Sequence, residues 1–116
     1  MNVKNYLRER LTDLPNCHDG EGILGHITLY DAPEFKTKLK FINYTVLSPG
    51  TSIGLHRHGD DEEIYIVLEG MGLMTVDQES QAVTAGDVIV NKPYGSHGIV
   101  NDGEQDLKLL VFEVAV

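Results

Sequence analysis

The sequence predicts an all-β protein, a sandwich or closed barrel led by a short helix. Three observations carry that expectation. Chain breakers recur at short intervals, at Gly20 and Gly22, Pro33, Pro49-Gly50, Gly59, Gly70, Gly86, Pro93 to Gly95 and Asp102-Gly103. The runs between them are rich in Val, Ile, Leu, Tyr and Thr, residues that suit a pleated, half-buried surface. Helical spacing of apolar residues is confined to the start of the chain.

At that start, from about Val3 to Leu11, Tyr6, Leu7 and Leu11 are spaced to form a short helical face, with Pro15 as its end. Residues 1–22 are thus read as a helix and lead-in, and about 23–116 as the barrel. Strands are expected near Ile23 to Tyr30, Leu39 to Leu47, Thr51 to His58, Glu63 to Glu69, Gly72 to Asp77, Ser80 to Thr84, Asp87 to Asn91, Gly98 to Asn101 and Leu107 to Val114. Nine short strands at regular spacing, with turns between, are the pattern of a sandwich or closed barrel. There is no internal repeat, low-complexity segment or linker.

A chain of 116 residues, 41% of them hydrophobic, can bury one core without staples, so a single domain is expected. Nine basic against 18 acidic residues give a formal charge of -9, which repels phosphate backbones and anionic membrane surfaces. No nucleic-acid or membrane partner is therefore expected. Cys17 is the only cysteine, which rules out an intrachain disulfide and fits a reduced cytoplasm. The opening residues lack the apolar core of a secretory signal, and no run approaches the ~20 apolar residues that span a bilayer.

The chemistry concentrates in GLHRHGDDEEIYIVLEG, Gly54 to Gly70. Successive side chains of a strand point to opposite faces, so His56 and His58 share one face with Arg57 on the other. Glu63 then enters the run Ile64 to Leu68, where burial on both faces is expected, and a carboxylate in such a place needs a cation or strong donors. A third imidazole, His97, follows the turn KPYGS. Three nitrogens and one oxygen make a donor set for a first-row transition metal.

These residues resemble the cupins. The first cupin motif, a glycine, five residues, H-x-H, three or four residues, a glutamate, six residues and a glycine, is met by Gly50, His56, His58, Glu63 and Gly70. The second is met by Gly86, Pro93, Gly95, His97 and Asn101, with the P-x-G step one residue late. The resemblance implies a double-stranded β-helix, a jelly-roll barrel, with His56, His58, Glu63 and His97 as ligands to a divalent metal (Fe, Mn, Ni, Zn or Cu) inside it. Glu62 is the rival carboxylate, since the motif allows either spacing. The family's habit of pairing barrels implies a homodimer.

On the strand of Glu63, alternation turns Tyr65 and Val67 to the same face, so Tyr65 is the candidate catalytic proton donor or ligand-binding hydroxyl. The same reading turns Ser52 and Gly54 inward with His56, leaving room beside the metal. Phe41 and Tyr44 have opposite parity, so only one lines the cavity. His18, His26 and Cys17 have no activating neighbours in sequence and are read as ordinary residues. Asp60, Asp61 and Glu62 are read as a charged loop at the barrel mouth. The expected function is a metalloenzyme acting on a small oxygen-rich molecule, or else a barrel that captures a sugar or small metabolite without turnover. No basic cluster stands ready to hold a phosphate.

Overall fold

The computed structural model describes residues 1–116 and contains ten strands: β1 (Thr12–Pro15), β2 (Ile23–Asp31), β3 (Leu39–Leu47), β4 (Ser52–Arg57), β5 (Asp61–Glu69), β6 (Met71–Val76), β7 (Glu79–Thr84), β8 (Val88–Asn91), β9 (Ser96–Val100) and β10 (Leu107–Ala115). Pairing is antiparallel throughout. One sheet has the order β1-β2-β3-β10-β5-β8 and the other β4-β9-β6-β7. All nine expected strands form, and the two sheets face each other as a jelly-roll barrel.

The leading helix does not form. Residues 6–9 are turns, and the chain then enters β1, which pairs with the edge of β2. A segment this short cannot repay helix nucleation unless its apolar residues pack on one face. Here Tyr6 lies on the Tyr44 ring, with centroids 4.5 Å apart, while Leu7 stays exposed. Pro15 closes an edge strand, where its missing N–H costs nothing, rather than a helix.

The core lies between the sheets. Leu47, Leu107 and Leu109 from the larger sheet are fully buried and cluster with Ile53, Met74, Val83 and Ile99 of the smaller one. Residues directly opposite on neighbouring strands share a face. One inward row of the larger sheet therefore runs Asn43, Val111, Tyr65, Ile89, and the next runs Phe41, Glu113, Glu63, Asn91. Phe41 is thus the residue that looks into the barrel, and Tyr44 packs outside it under Tyr6.

Strand β4 departs from simple alternation. Ile53 is opposite Ile99 and His56 is opposite His97, so three steps on β4 face two on β9. This bulge lets Ile53 join the core and His56 still point inward. Gly54 consequently does not line the cavity beside Glu63 and Tyr65. A Cβ there would fall onto the carbonyl oxygen of His18, because the 3-10 turn Cys17–Asp19 lies directly against it.

Candidate metal centre

β4 and β9 place His56 and His97 side by side in register, and β5 brings Glu63 to them. One donor atom from each of these three residues lies within 4.8 Å of the other two. His97 is 1% exposed, and its Nε2–H donates to Glu63 Oε1 at 3.0 Å. Glu62, the rival carboxylate, points outward to Lys92 Nζ at 3.6 Å.

His58 stands apart from that trio and borders it. Its ring centroid is 5.0 Å from that of His97, and its Nδ1–H donates to Asp61 Oδ1 at 3.1 Å. His58, Asp61 and Glu113 form a second group with donor atoms within 4.8 Å of one another. Lys40 Nζ reaches Asp61 Oδ2 at 2.7 Å and Glu113 Oε2 at 3.6 Å. Asp61, read as a loop charge, is therefore an inward residue at the start of β5, in line with Glu63 and Tyr65.

The ring nitrogens show how a metal would be held. His56 Nδ1–H donates to Gly54 O at 2.8 Å and His58 Nδ1–H to Asp61, which leaves the lone pair of a neutral ring on Nε2 in both. Anchoring one nitrogen on a carbonyl or carboxylate is the usual support for a metal-binding histidine. His58 Nε2 is buried without any hydrogen-bond partner, as a ligand nitrogen would be in the metal-free protein. Imidazoles with one carboxylate suit a first-row transition ion. His97 would join through Nε2 only once the proton it donates to Glu63 has moved, and its Nδ1, buried without a partner, is free to carry it.

Burial lowers the pKa of His56, which favours the neutral ring. Burial, and then the charge of Glu63, hold Tyr65 well above the usual phenol range, so its hydroxyl keeps its proton. Burial pushes Asp61 up, but hydrogen bonds from Lys40 and His58 outweigh it and leave its pKa lowered. Glu113 is raised to about 6 by burial and by the charges of Glu63 and Asp61. A carboxyl raised in the folded state is no burden below its unfolded value of 4.5, opposes folding increasingly as pH rises past it, and does so in full above about 6. In chelator-treated protein, Glu113→Gln is expected to raise Tm at pH 7.5 and to leave it unchanged at pH 4.5, as a melting series would show.

A cavity of about 180 Å³ opens beside Glu63 and Tyr65, lined also by His18, His26, Phe41, Asn43 and Thr45. His18 and His26, read as ordinary surface or strand histidines, both line this cavity, His26 from β2. The His18 ring stacks on His56 at 3.6 Å between centroids, 9° from parallel, and His26 Nδ1 meets Thr45 Oγ1 at 3.0 Å. Asn91, opposite Glu63 on β8, is 1% exposed with neither amide atom partnered. No local pattern flags His18. Its contact needs a backbone turn with left-handed φ at Asn16, His18 and Asp19.

The family model of the cupin domain matches residues 43–113. The chain belongs to the cupin family. An oxalate-binding protein of Thermotoga maritima is 32% identical over 97 residues, covering 84% of this cupin and 80% of that protein. An uncharacterised protein of Methanocaldococcus jannaschii is 45% identical over 65 residues, which cover 56% of this cupin and 52% of the relative. The crystal structure of a predicted oxalate decarboxylase from Thermotoga maritima superposes with a TM-score of 0.95 at 28% identity, covering 98% of this cupin and 99% of that chain.

Cupin motif positions outside the donor set are explained by backbone demands. Gly70 and Gly86 sit at φ +86° and +96°, where a side chain is strained. Asn101, fully buried, donates through Nδ2 to Leu47 O at 2.8 Å and Gln105 O at 2.7 Å, tying the β9–β10 connection to β3. The displaced P-x-G step has a visible consequence: Tyr94, not Gly95, takes the left-handed conformation, at φ +63°.

Proposed function

We propose that this cupin holds a divalent transition metal through His56, His58, Glu63 and His97, and uses the site to bind and transform a small oxygen-rich organic acid. The observation that carries the reading is the convergence of His56, Glu63 and His97 beside a cavity into which Tyr65 also looks. At about 180 Å³ the cavity is smaller than the ~300 Å³ at which pockets for drug-sized ligands begin, so the ligand has few atoms. When bound, such an ion acts as a Lewis acid toward a chelating carboxylate, carbonyl or hydroxyl.

The chain's own residues would do the rest. Asp61 and Gly54 O orient His58 and His56, and the protonated Tyr65 hydroxyl donates to the ligand or delivers a proton to it. The relative named for oxalate binding supports a short dicarboxylate or its analogue as ligand, and also supports a second reading, capture without turnover. The setting assumed is a cytoplasmic homodimer. Exposed Val88 and Val90 on the edge strand β8 favour covering by a second copy.

The test begins with elemental analysis of protein purified without affinity tag or chelator, followed by calorimetric titration of the metal-loaded protein with oxalate. Near-stoichiometric metal and saturable heat are expected. Formate released in step with carbon dioxide, as the oxalate monoanion decarboxylates, marks an enzyme. Binding without formate marks a carrier or sensor. Protein that carries no metal and takes none up would sink the proposal.

A further inference from the structure

The cavity wall away from the metal donors carries a hydrogen-bonding group that the protein leaves unused. Asn43, on β3, lines the cavity beside Thr45 and His26, makes no side-chain hydrogen bond, and buries its Oδ1 without a partner. Thr45 and His26 satisfy each other instead. In the register of the sheet, Asn43 and Tyr65 flank Val111 on the same inward face, so an amide and a phenol point into one small volume.

The lining contains no lysine or arginine, and its one carboxylate is Glu63. Burial lowers the pKa of His26, so that ring is no cation at neutral pH either. A divalent ion held by neutral imidazoles and Glu63 leaves one net positive charge, which a monoanion cancels. A dianion would bury a second negative charge with no lysine or arginine to meet it, and burial of an unpaired charge is strongly opposed. A second carboxylate, acceptor-only, could pair with Asn43 only through Nδ2 and would leave Oδ1 unsatisfied, whereas a ligand amide can satisfy both ends at once.

On the proposed metal function, we infer that Asn43 selects the ligand class: a small monoanion that chelates at one end and presents a neutral hydrogen-donating group at the other. Oxalate fits this site as its monoanion. Oxamate, in which an amide replaces one carboxylate, is the matched probe, because its amide and that of Asn43 can exchange two hydrogen bonds whichever way the side chain is turned.

The experiment is calorimetric titration of Mn²⁺-loaded protein with oxalate and with oxamate at pH 7.5, for the native chain and for Asn43→Leu, alongside melting of both in chelator. Oxamate is expected to bind native protein at least about tenfold more tightly than oxalate, and the preference to vanish in the variant. Without metal or ligand, Asn43→Leu should melt no lower than native protein, because an unsatisfied amide is replaced by a hydrocarbon of similar size. Tighter oxalate binding by native protein, or a preference unchanged by Asn43→Leu, would overturn the inference while leaving the metal reading intact. Failure of native protein to take up Mn²⁺ would overturn both. The native preference is read without any variant, so a poorly folded Asn43→Leu leaves that test standing.

Discussion

Replacing His97 by glutamine is expected to weaken metal binding by at least about a hundredfold, more than the loss of an outer-shell support, which alone costs about 10–100-fold. Glutamine keeps much of the ring's volume and an N–H that can donate to Glu63, so the barrel should stay folded while the donor nitrogen is lost. His58→Ala is expected to follow it. His58 makes the sharper comparison because its donor grouping is with Asp61 and Glu113, not with His56, Glu63 and His97. Metal content unchanged in His58→Ala but lost in His97→Gln would reduce the site to three ligands. Glu62→Ala, which removes only an outward ion pair with Lys92, should bind metal like the native protein. Calorimetric metal titration of the four proteins decides among these outcomes.

Gly54→Ala is expected to destabilise the protein by about 3 kcal/mol, the upper end of what overpacking costs, and to lower Tm by ~10 °C. The new Cβ would meet His18 O and Gly20 N, both backbone atoms that no rotamer change can move aside. The turn Cys17–Asp19 would have to lift from β4, straining the bonds from Ser52 N to Glu21 O at 3.0 Å and from Glu21 N to Ser52 Oγ at 2.9 Å. The His18 ring would leave His56 with it, so metal affinity should fall together with stability. Gly59→Ala is the control: nothing lies within 4 Å of a Cβ there, and its melting curve should overlay the native one. A Gly54→Ala protein as stable as native would show that the turn is not held against β4 in solution.

The strands were legible because breakers and β-branched runs are local signals, and they place nine of the ten. β1 was missed because TDLP lacks that composition and is a strand only because β2 offers it an open edge. The helix was expected from spacing alone. Spacing cannot report that Tyr6 finds a better surface on Tyr44, a contact 38 positions away in the chain.

The site divides in the same way. His56, His58, Glu63 and His97 stand out in sequence because donor chemistry in motif spacing is unusual, and strand parity on β5 correctly turned Tyr65 and Val67 inward with Glu63. Parity failed on β4, where the bulge between Ile53 and His56 shifts the alternation by one residue. Asp61, His18, Asn43 and Asn91 owe their places near the donors to register and turn geometry, with no pattern of their own. The sequence by itself determined the all-β fold and named the candidate donors, since both are written in residues close along the chain. Only the tertiary structure decided which way β4 faces, that His58 leans on Asp61, and which polar groups line the cavity, because those depend on contacts between strands far apart in sequence.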